Sequence, residues 1–190
     1  MLQSKVYTAL MAKKTLLNAK DIHIILHRLA CQLIENHNDF NNTVLIGLQP
    51  RGIFLANRLT EILQNDYKIS NIKLGQLDIT FYRDDFRRRE EPLAASNTSI
   101  DFIVEDKNVV IIDDVLFSGR SVRSALTAIQ SFGRPESIEL LVLIDRRFSR
   151  HLPIQPNYKG RQVDAINSEK VKVSWLENDK KDAVYLLSNN

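Results

Sequence analysis

Apolar positions along the chain alternate between two rhythms. Ile22, Ile25, Leu26, Leu29 and Leu33 recur at helical spacing behind Asn18, which can cap the helix, and the polar run Asn36-His37-Asn38-Asp39 ends it. Thr43 to Leu48 is then a short unbroken apolar run, the form taken by a strand buried on both faces. Gln49-Pro50-Arg51-Gly52 turns the chain into a second helix with Leu55, Leu59, Ile62 and Leu63 on one side. Ile72 to Phe81 reads as a longer strand, and residues 82–99 as a charged, polar excursion. Asn108 to Ile112 is β-branched enough for a central strand. The next helix turns Val122, Ala125, Leu126 and Ile129 inward and stops at Gly133, with Pro135 beyond. Ile138 to Ile144 predicts another buried strand, and Val171 to Trp175 and Ala183 to Leu187 two final ones. Strands alternating with amphipathic helices predict an α/β fold with a mostly parallel sheet. In such sheets ligands sit beyond the carboxyl ends of the strands.

Length and composition sharpen this picture without changing it. The 190 residues, 44% of them hydrophobic, suit a single domain spanning 1–190 with a full core, and no repeat or linker divides it. A net charge of +3 allows an anionic ligand without distinguishing a small phosphate from a nucleic acid. The single cysteine, Cys31, rules out an internal disulfide and suits a reducing compartment. No apolar run approaches membrane-spanning length, and Lys13 and Lys14 interrupt any signal-like segment, so the expectation is a cytoplasmic protein without a membrane partner.

Chemistry concentrates in Val109-Val110-Ile111-Ile112-Asp113-Asp114-Val115-Leu116-Phe117-Ser118-Gly119-Arg120-Ser121. A hydrophobic strand ends in two carboxylates, and small hydroxyl residues and a glycine follow where a helix begins. A helix start offers unpaired N–H groups and partial positive charge to a phosphate. Gly119 allows close backbone approach, and the Ser118 and Ser121 hydroxyls can donate. Two carboxylates beside a phosphate would repel it unless they hold sugar hydroxyls or a hard cation; Asp113 and Asp114 therefore fit ribose hydroxyls and Mg²⁺. Each fragment alone is more readily a strand end or a helix cap. The ordered string is much harder to produce by chance.

The string resembles the motif with which type I phosphoribosyltransferases bind 5-phosphoribosyl pyrophosphate (PRPP), and the surrounding chain resembles the PyrR family. Gly47-Leu48-Gln49-Pro50-Arg51-Gly52-Ile53 is similar to the family's pyrophosphate loop, and Asp78 to Asp85 to the stretch leading into its mobile loop. Gly133-Arg134-Pro135, Asp145-Arg146, Leu152-Pro153-Ile154 and Ser168-Glu169-Lys170-Val171 extend the likeness towards the C-terminus. The resemblance implies a five-stranded, mostly parallel core with a small hood, a dimer-based homo-oligomer, and the reaction uracil plus PRPP to UMP plus pyrophosphate with Mg²⁺. It implies catalytic roles for Asp113, Asp114 and Arg83, PRPP binding along Val115, Leu116, Phe117, Ser118, Gly119, Arg120 and Ser121, and pyrophosphate handling by Arg51 and Gly52. Tyr82, Asp84 and Asp85 fall in the mobile loop, while Asp145 and Arg146 are candidates for the base pocket, although a charged strand end is more often a solvated edge. Purine-using relatives carry an aspartate where this chain has Phe117, which favours a pyrimidine. Arg146 to His151 runs one residue longer than the family's commoner Asp-Arg-Gly-His form.

Some members of that family bind RNA, so the alternative reading is a UMP- or PRPP-sensing attenuation regulator with little turnover. Lys20, His23 and His27 share one face of the first helix with Arg28 at its edge, Cys31 continues that face, and Lys159 and Arg161 lie elsewhere in the sequence. The stripe is short and its histidines largely uncharged at neutral pH, so any RNA partner is expected to bind weakly. No RNP, KH or zinc-finger pattern and no phosphate loop of the nucleoside-triphosphatases is present.

Overall fold

A computed structural model describes residues 12–84 and 97–188. Five parallel strands form its centre, in the order β3-β2-β4-β5-β6: β2 (Thr43–Leu48), β3 (Lys73–Leu77), β4 (Asn108–Leu116), β5 (Ser137–Arg146) and β6 (Tyr158–Val163). Three antiparallel strands, β1 (Ala12–Leu17), β8 (Ala183–Ser188) and β7 (Glu169–Ser174), make the hood.

Helix α1 (Ala19–His37) begins in a full capping box: the Asp21 amide donates to the Asn18 side chain and the Asn18 amide to the Asp21 carboxylate, both at 3.0 Å. Its stripe Leu26, Leu29 and Leu33 and that of α2 (Gly52–Asn65) bury against Val110, Ile112, Leu141 and Leu143. The same core continues into the hood through Val171, Val173 and the fully buried Trp175. On the other side, α3 (Arg120–Ile129) packs Val122, Ala125, Ala128 and Ile129 on Val109, Ile111, Leu140 and Val142. Alternate residues of β4 and β5 thus feed two cores, which is why their sequences are apolar without a break.

The predicted strand Ile72 to Phe81 is shorter than expected, ending at Leu77. The Asp78 carboxylate accepts from the Thr80 amide at 2.8 Å and from its hydroxyl at 2.6 Å, turning the chain into a single 3-10 turn, Thr80–Tyr82. Conversely, β4 and β5 run beyond their apolar stretches and carry Asp113, Asp114, Asp145 and Arg146 as strand residues. Strands β1 and β6 were not legible from periodicity: β1 begins Ala-Lys-Lys and β6 reads Tyr-Lys-Gly-Arg-Gln-Val at the sheet edge. Among the described residues no helix is long and apolar enough to cross a membrane.

Candidate active site

The carboxyl ends of β2, β4 and β5 converge on one face. The loop after β2 passes through a cis Gln49–Pro50 peptide, and the Gln49 amide donates to the Leu77 carbonyl at 2.9 Å. Gly52 then starts α2 hard against β4: a Cβ there would lie 2.5 Å from the Ile112 carbonyl oxygen and 2.9 Å from the Asp113 Cα. Only glycine brings Arg51 this close to the acidic end of β4.

That end differs from the sequence expectation in one respect. Asp113 and Asp114 lie inside the strand, which runs on to Leu116, and both are half-buried; the Asp114 side chain is 14% exposed. Burial, and after it the charge of Asp114, hold the Asp113 carboxyl well above the usual carboxylate range. Burial also raises Asp114, against the pull of Arg51, whose Nε lies 3.4 Å from its Oδ2. Two inset carboxyls with little cationic compensation form a site short of positive charge.

Beside them lies a cavity of about 240 Å³ lined by Arg83, Asp113 and the run from Val115 to Val122. Gly119 heads α3 with φ +90°, so the turn is closed to most other residues. The first amides of α3, which have no acceptor within the helix, open at this cavity with the Ser118 and Ser121 side chains in its wall. The structure therefore gathers Asp113, Arg83 and every residue from Val115 to Ser121 in one place, with Asp114, Arg51 and Gly52 adjoining it.

Arg120 carries a second partner. Its guanidinium and that of Arg123 both pair with Asp84, Arg123 at 3.1 Å, and the Ser124 hydroxyl donates to the Tyr82 carbonyl at 3.0 Å. Asp84 and Tyr82, at the start of the predicted mobile loop, are thereby fastened to α3. Asp85, the last of the predicted loop residues, lies outside the described residues.

Asp145 and Arg146, the candidates for the base pocket, are only 6% and 5% exposed and so do not form a solvated strand edge. Arg146 donates to the Ile166 and Glu169 carbonyls at 3.2 and 3.0 Å and stacks on the Phe117 ring at 4.1 Å; its Nε is buried without a hydrogen-bond partner, and burial lowers its pKa. Asp145 pairs with Arg150, which also donates to the Phe117 carbonyl. Sequence reading passed over Arg150 because it sits in the atypically long segment after β5, and nothing local marks its tie to a residue 33 positions earlier. A larger cleft of about 610 Å³ opens beyond this pair, lined by Arg147, Pro153 to Pro156, Lys159 and Gln162, apart from the carboxylates of β4.

The basic residues on α1 and those near position 160 are closer than the sequence suggested. Arg28 donates to the Lys159 and Gly160 carbonyls at 3.2 and 2.6 Å, and Arg161 to the Leu16 carbonyl at 2.8 Å. His27 lies 3.8 Å from Asp66, and Cys31 contacts the Tyr67 hydroxyl at 3.1 Å. Among the described residues, no group of three or more His, Cys, Asp or Glu side chains is placed to hold a metal by itself.

Residues 13–178 match the phosphoribosyl transferase domain family. The Bifunctional protein PyrR of Desulfosudis oleivorans is 41% identical over 175 residues, covering 92% of this chain and 96% of the relative. The protein of the same name from Bacillus subtilis is 38% identical over 180 residues, covering 93% and 98%. Among solved structures, the hypoxanthine phosphoribosyltransferase of Trypanosoma cruzi superposes with a TM-score of 0.70 at 15% identity, covering 93% of this chain and 97% of that one, a likeness of fold alone.

Proposed function

The chain belongs to the phosphoribosyltransferase family and, within it, to the PyrR proteins, and on that premise we propose that it transfers phosphoribosyl from PRPP to uracil, giving UMP and pyrophosphate. The observation that carries the reading is the meeting of the Asp113–Asp114 pair with the glycine-headed start of α3 around one cavity.

In this reading the Ser118 to Ser121 segment holds the 5′-phosphate through backbone amides and hydroxyls, and Asp113 and Asp114 accept from the ribose hydroxyls. Arg51 and the Gly52 amide receive the pyrophosphate. The bond from ribose C1 to the pyrophosphate oxygen breaks as the bond to uracil N1 forms, the base entering as its N1 anion after giving that proton to solvent. Cationic character at the sugar is stabilised by the carboxylates, and positioning supplies most of the acceleration. Arg83 and its loop close over the reactants and exclude water.

The two raised carboxyls fit Mg²⁺: an all-oxygen donor set, too few protein ligands to cage an ion, and a charge deficit that a divalent cation relieves. Asp113 and Asp114 would hold the ion, which together with PRPP would supply neutralising charge to the leaving group. Phe117, stacked under Arg146, presents no carboxylate to the base, which supports a pyrimidine over a purine; Asp145, which lines the neighbouring cleft, and Arg146 are our candidates for the base pocket.

The test is to supply PRPP, Mg²⁺ and each of five nucleobases in turn and to follow pyrophosphate release. Uracil is expected to turn over. Turnover of hypoxanthine or guanine without uracil would overturn the assignment, and binding of PRPP or UMP with no turnover would favour a nucleotide sensor. We propose in addition a dimer-based assembly, which a solution mass of only monomer at micromolar concentration would contradict.

A second reading, RNA binding, gains one observation: Arg28 draws the basic face of α1 against β6, which carries Lys159 and Arg161. The patch remains small. With about four phosphate contacts, affinity should fall with salt at a log–log slope of roughly −3. Tight, sequence-selective binding of pyrimidine-operon leader RNA, strengthened by UMP, would make regulation the larger role.

A further inference from the structure

Among the described residues, one guanidinium hydrogen-bonds the pyrophosphate loop to the hood. Arg51 Nη2 donates to the Val173 carbonyl of β7 and, at 2.8 Å, to Asp179 Oδ2 at the end of the short helix α4 (Leu176–Asp179). Its Nε faces Asp114 at 3.4 Å. A carbonyl of β7, a carboxylate of α4 and a carboxylate of β4 thus surround one planar group, and Arg51 Nη1 has no partner among the described residues.

Asp179 is itself held firmly. Its Oδ2 accepts from the amide of Trp175 at 3.2 Å, its Oδ1 lies 3.9 Å from Lys172 Nζ, and Trp175 is fully buried. The hydrogen bond from Arg51 keeps the Asp179 carboxyl below the usual carboxylate range. Asp179 also competes with Asp114 for the same cation. The 3.4 Å separation on the Asp114 side is longer than a good charged hydrogen bond, whereas the 2.8 Å contact to Asp179 is a full one.

We infer that Asp179 is a positioning residue for the transfer reaction: it holds Arg51 away from Asp114, leaving Nη1 for the diphosphate and Asp114 for the ribose and its cation. The inference rests on the transferase reading above. Without Asp179, the guanidinium collapses onto Asp114 and ties up two ligand-binding groups at once.

The experiment compares Asp179→Ala, Asp179→Asn and Asp179→Glu in steady-state kinetics, together with calorimetric binding of PRPP and of pyrophosphate in the presence of Mg²⁺. Loss of one charge-assisted bond predicts a rise of about tenfold in KM for PRPP and in the pyrophosphate inhibition constant for Asp179→Ala. Asp179→Asn, which keeps an oxygen for both Arg51 and the Trp175 amide, should rise less, about threefold. Asp179→Glu should restore part of the loss. KM for uracil should stay within about twofold throughout, because the hood remains folded. In an Arg51→Ala background, Asp179→Ala should add nothing, since its whole effect passes through Arg51.

Equal rises in both KM values with a lowered melting temperature would overturn the inference in favour of a merely structural role. So would a full additional effect in the Arg51→Ala background. If the wild type binds PRPP but does not turn over uracil, the base assignment fails while the affinities still decide the role of Asp179. Absence of PRPP binding by the wild type would overturn both.

Discussion

Replacing Asp113 or Asp114 by asparagine should cost activity while leaving the fold more stable in the first case and little changed in the second. The folded protein holds the Asp113 carboxyl well above its usual range through burial and then through the neighbouring charge of Asp114, so an ionised Asp113 is a burden on the apo state. An acid raised in this way contributes stability below its unfolded value near 4 and loses it as pH climbs towards the folded value. Keeping a carboxyl one pH unit above its ordinary value costs the folded state about 1.4 kcal/mol once it is ionised. An asparagine in place of Asp113 would not titrate and would keep the oxygen that accepts from the amide of Asp114 at 2.9 Å. Asp113→Asn should therefore gain on the wild type in urea midpoint between pH 4 and pH 7. Asp114→Asn gives up the charge of the long contact to Arg51 but also relieves a burial penalty, so it should change stability by less than about 1 kcal/mol. Catalysis is another matter: each loses charge-assisted bonds to ribose or its cation, about 1.5–3 kcal/mol, a rate loss of roughly tenfold to a hundredfold. Urea unfolding at the two pH values and turnover with PRPP and uracil read both quantities on one preparation. Full activity in both variants, or a loss of more than about 2 kcal/mol at pH 7 in Asp113→Asn, would show that the pair is structural.

Arg51→Ala should raise KM for PRPP about tenfold and weaken pyrophosphate inhibition, with the parallel core intact by circular dichroism. Gly52→Ala places a Cβ 2.5 Å from the Ile112 carbonyl oxygen; displacing β4 should cost about 1–3 kcal/mol by thermal melt and reduce activity by shifting Asp113. Arg58 grips both Glu177 (2.9 and 2.8 Å) and Asp182 (2.9 and 2.8 Å), so Arg58→Ala should cost about 1–2 kcal/mol, the partial exposure of the site keeping it below a fully buried pair. Asp179 is drawn below the usual range by Arg51, and Asp182, despite its burial, by Arg58; both contributions are present above the unfolded value and vanish as pH falls through the folded one. Protection of the β7 and β8 amides, relative to their intrinsic exchange rates, should accordingly fall below about pH 4, ahead of that in β2 and β4.

What could be read from the chain depended on how local each signal was. The helix stripe behind Asn18, the apolar runs of β2 and β4, and the Asp113 to Ser121 string are all local, and the structure forms an element or a site at each. Strand β6 escaped because its burial alternates irregularly and its core contacts come only from Tyr158 and Val163. The end of β3 escaped because one side chain, Asp78, overrides the strand pattern with a turn. The depth of Asp113 and Asp114 was invisible, since a strand end and a strand interior read alike when the residues are polar. Arg51–Asp179 and Arg150–Phe117 escaped because they join residues 128 and 33 positions apart. A single sequence carries no trace of such pairings until the fold is known.

The central claim is phosphoribosyl transfer to uracil, and the most direct measurement is the product balance. Protein, Mg²⁺, PRPP and labelled uracil are incubated together, and UMP is quantified by chromatography alongside pyrophosphate. The two products are expected in a one-to-one ratio, dependent on Mg²⁺ and nearly abolished when Asp113→Asn and Asp114→Asn are combined. Pyrophosphate released without UMP, or neither product formed while PRPP binds, would contradict phosphoribosyl transfer to uracil.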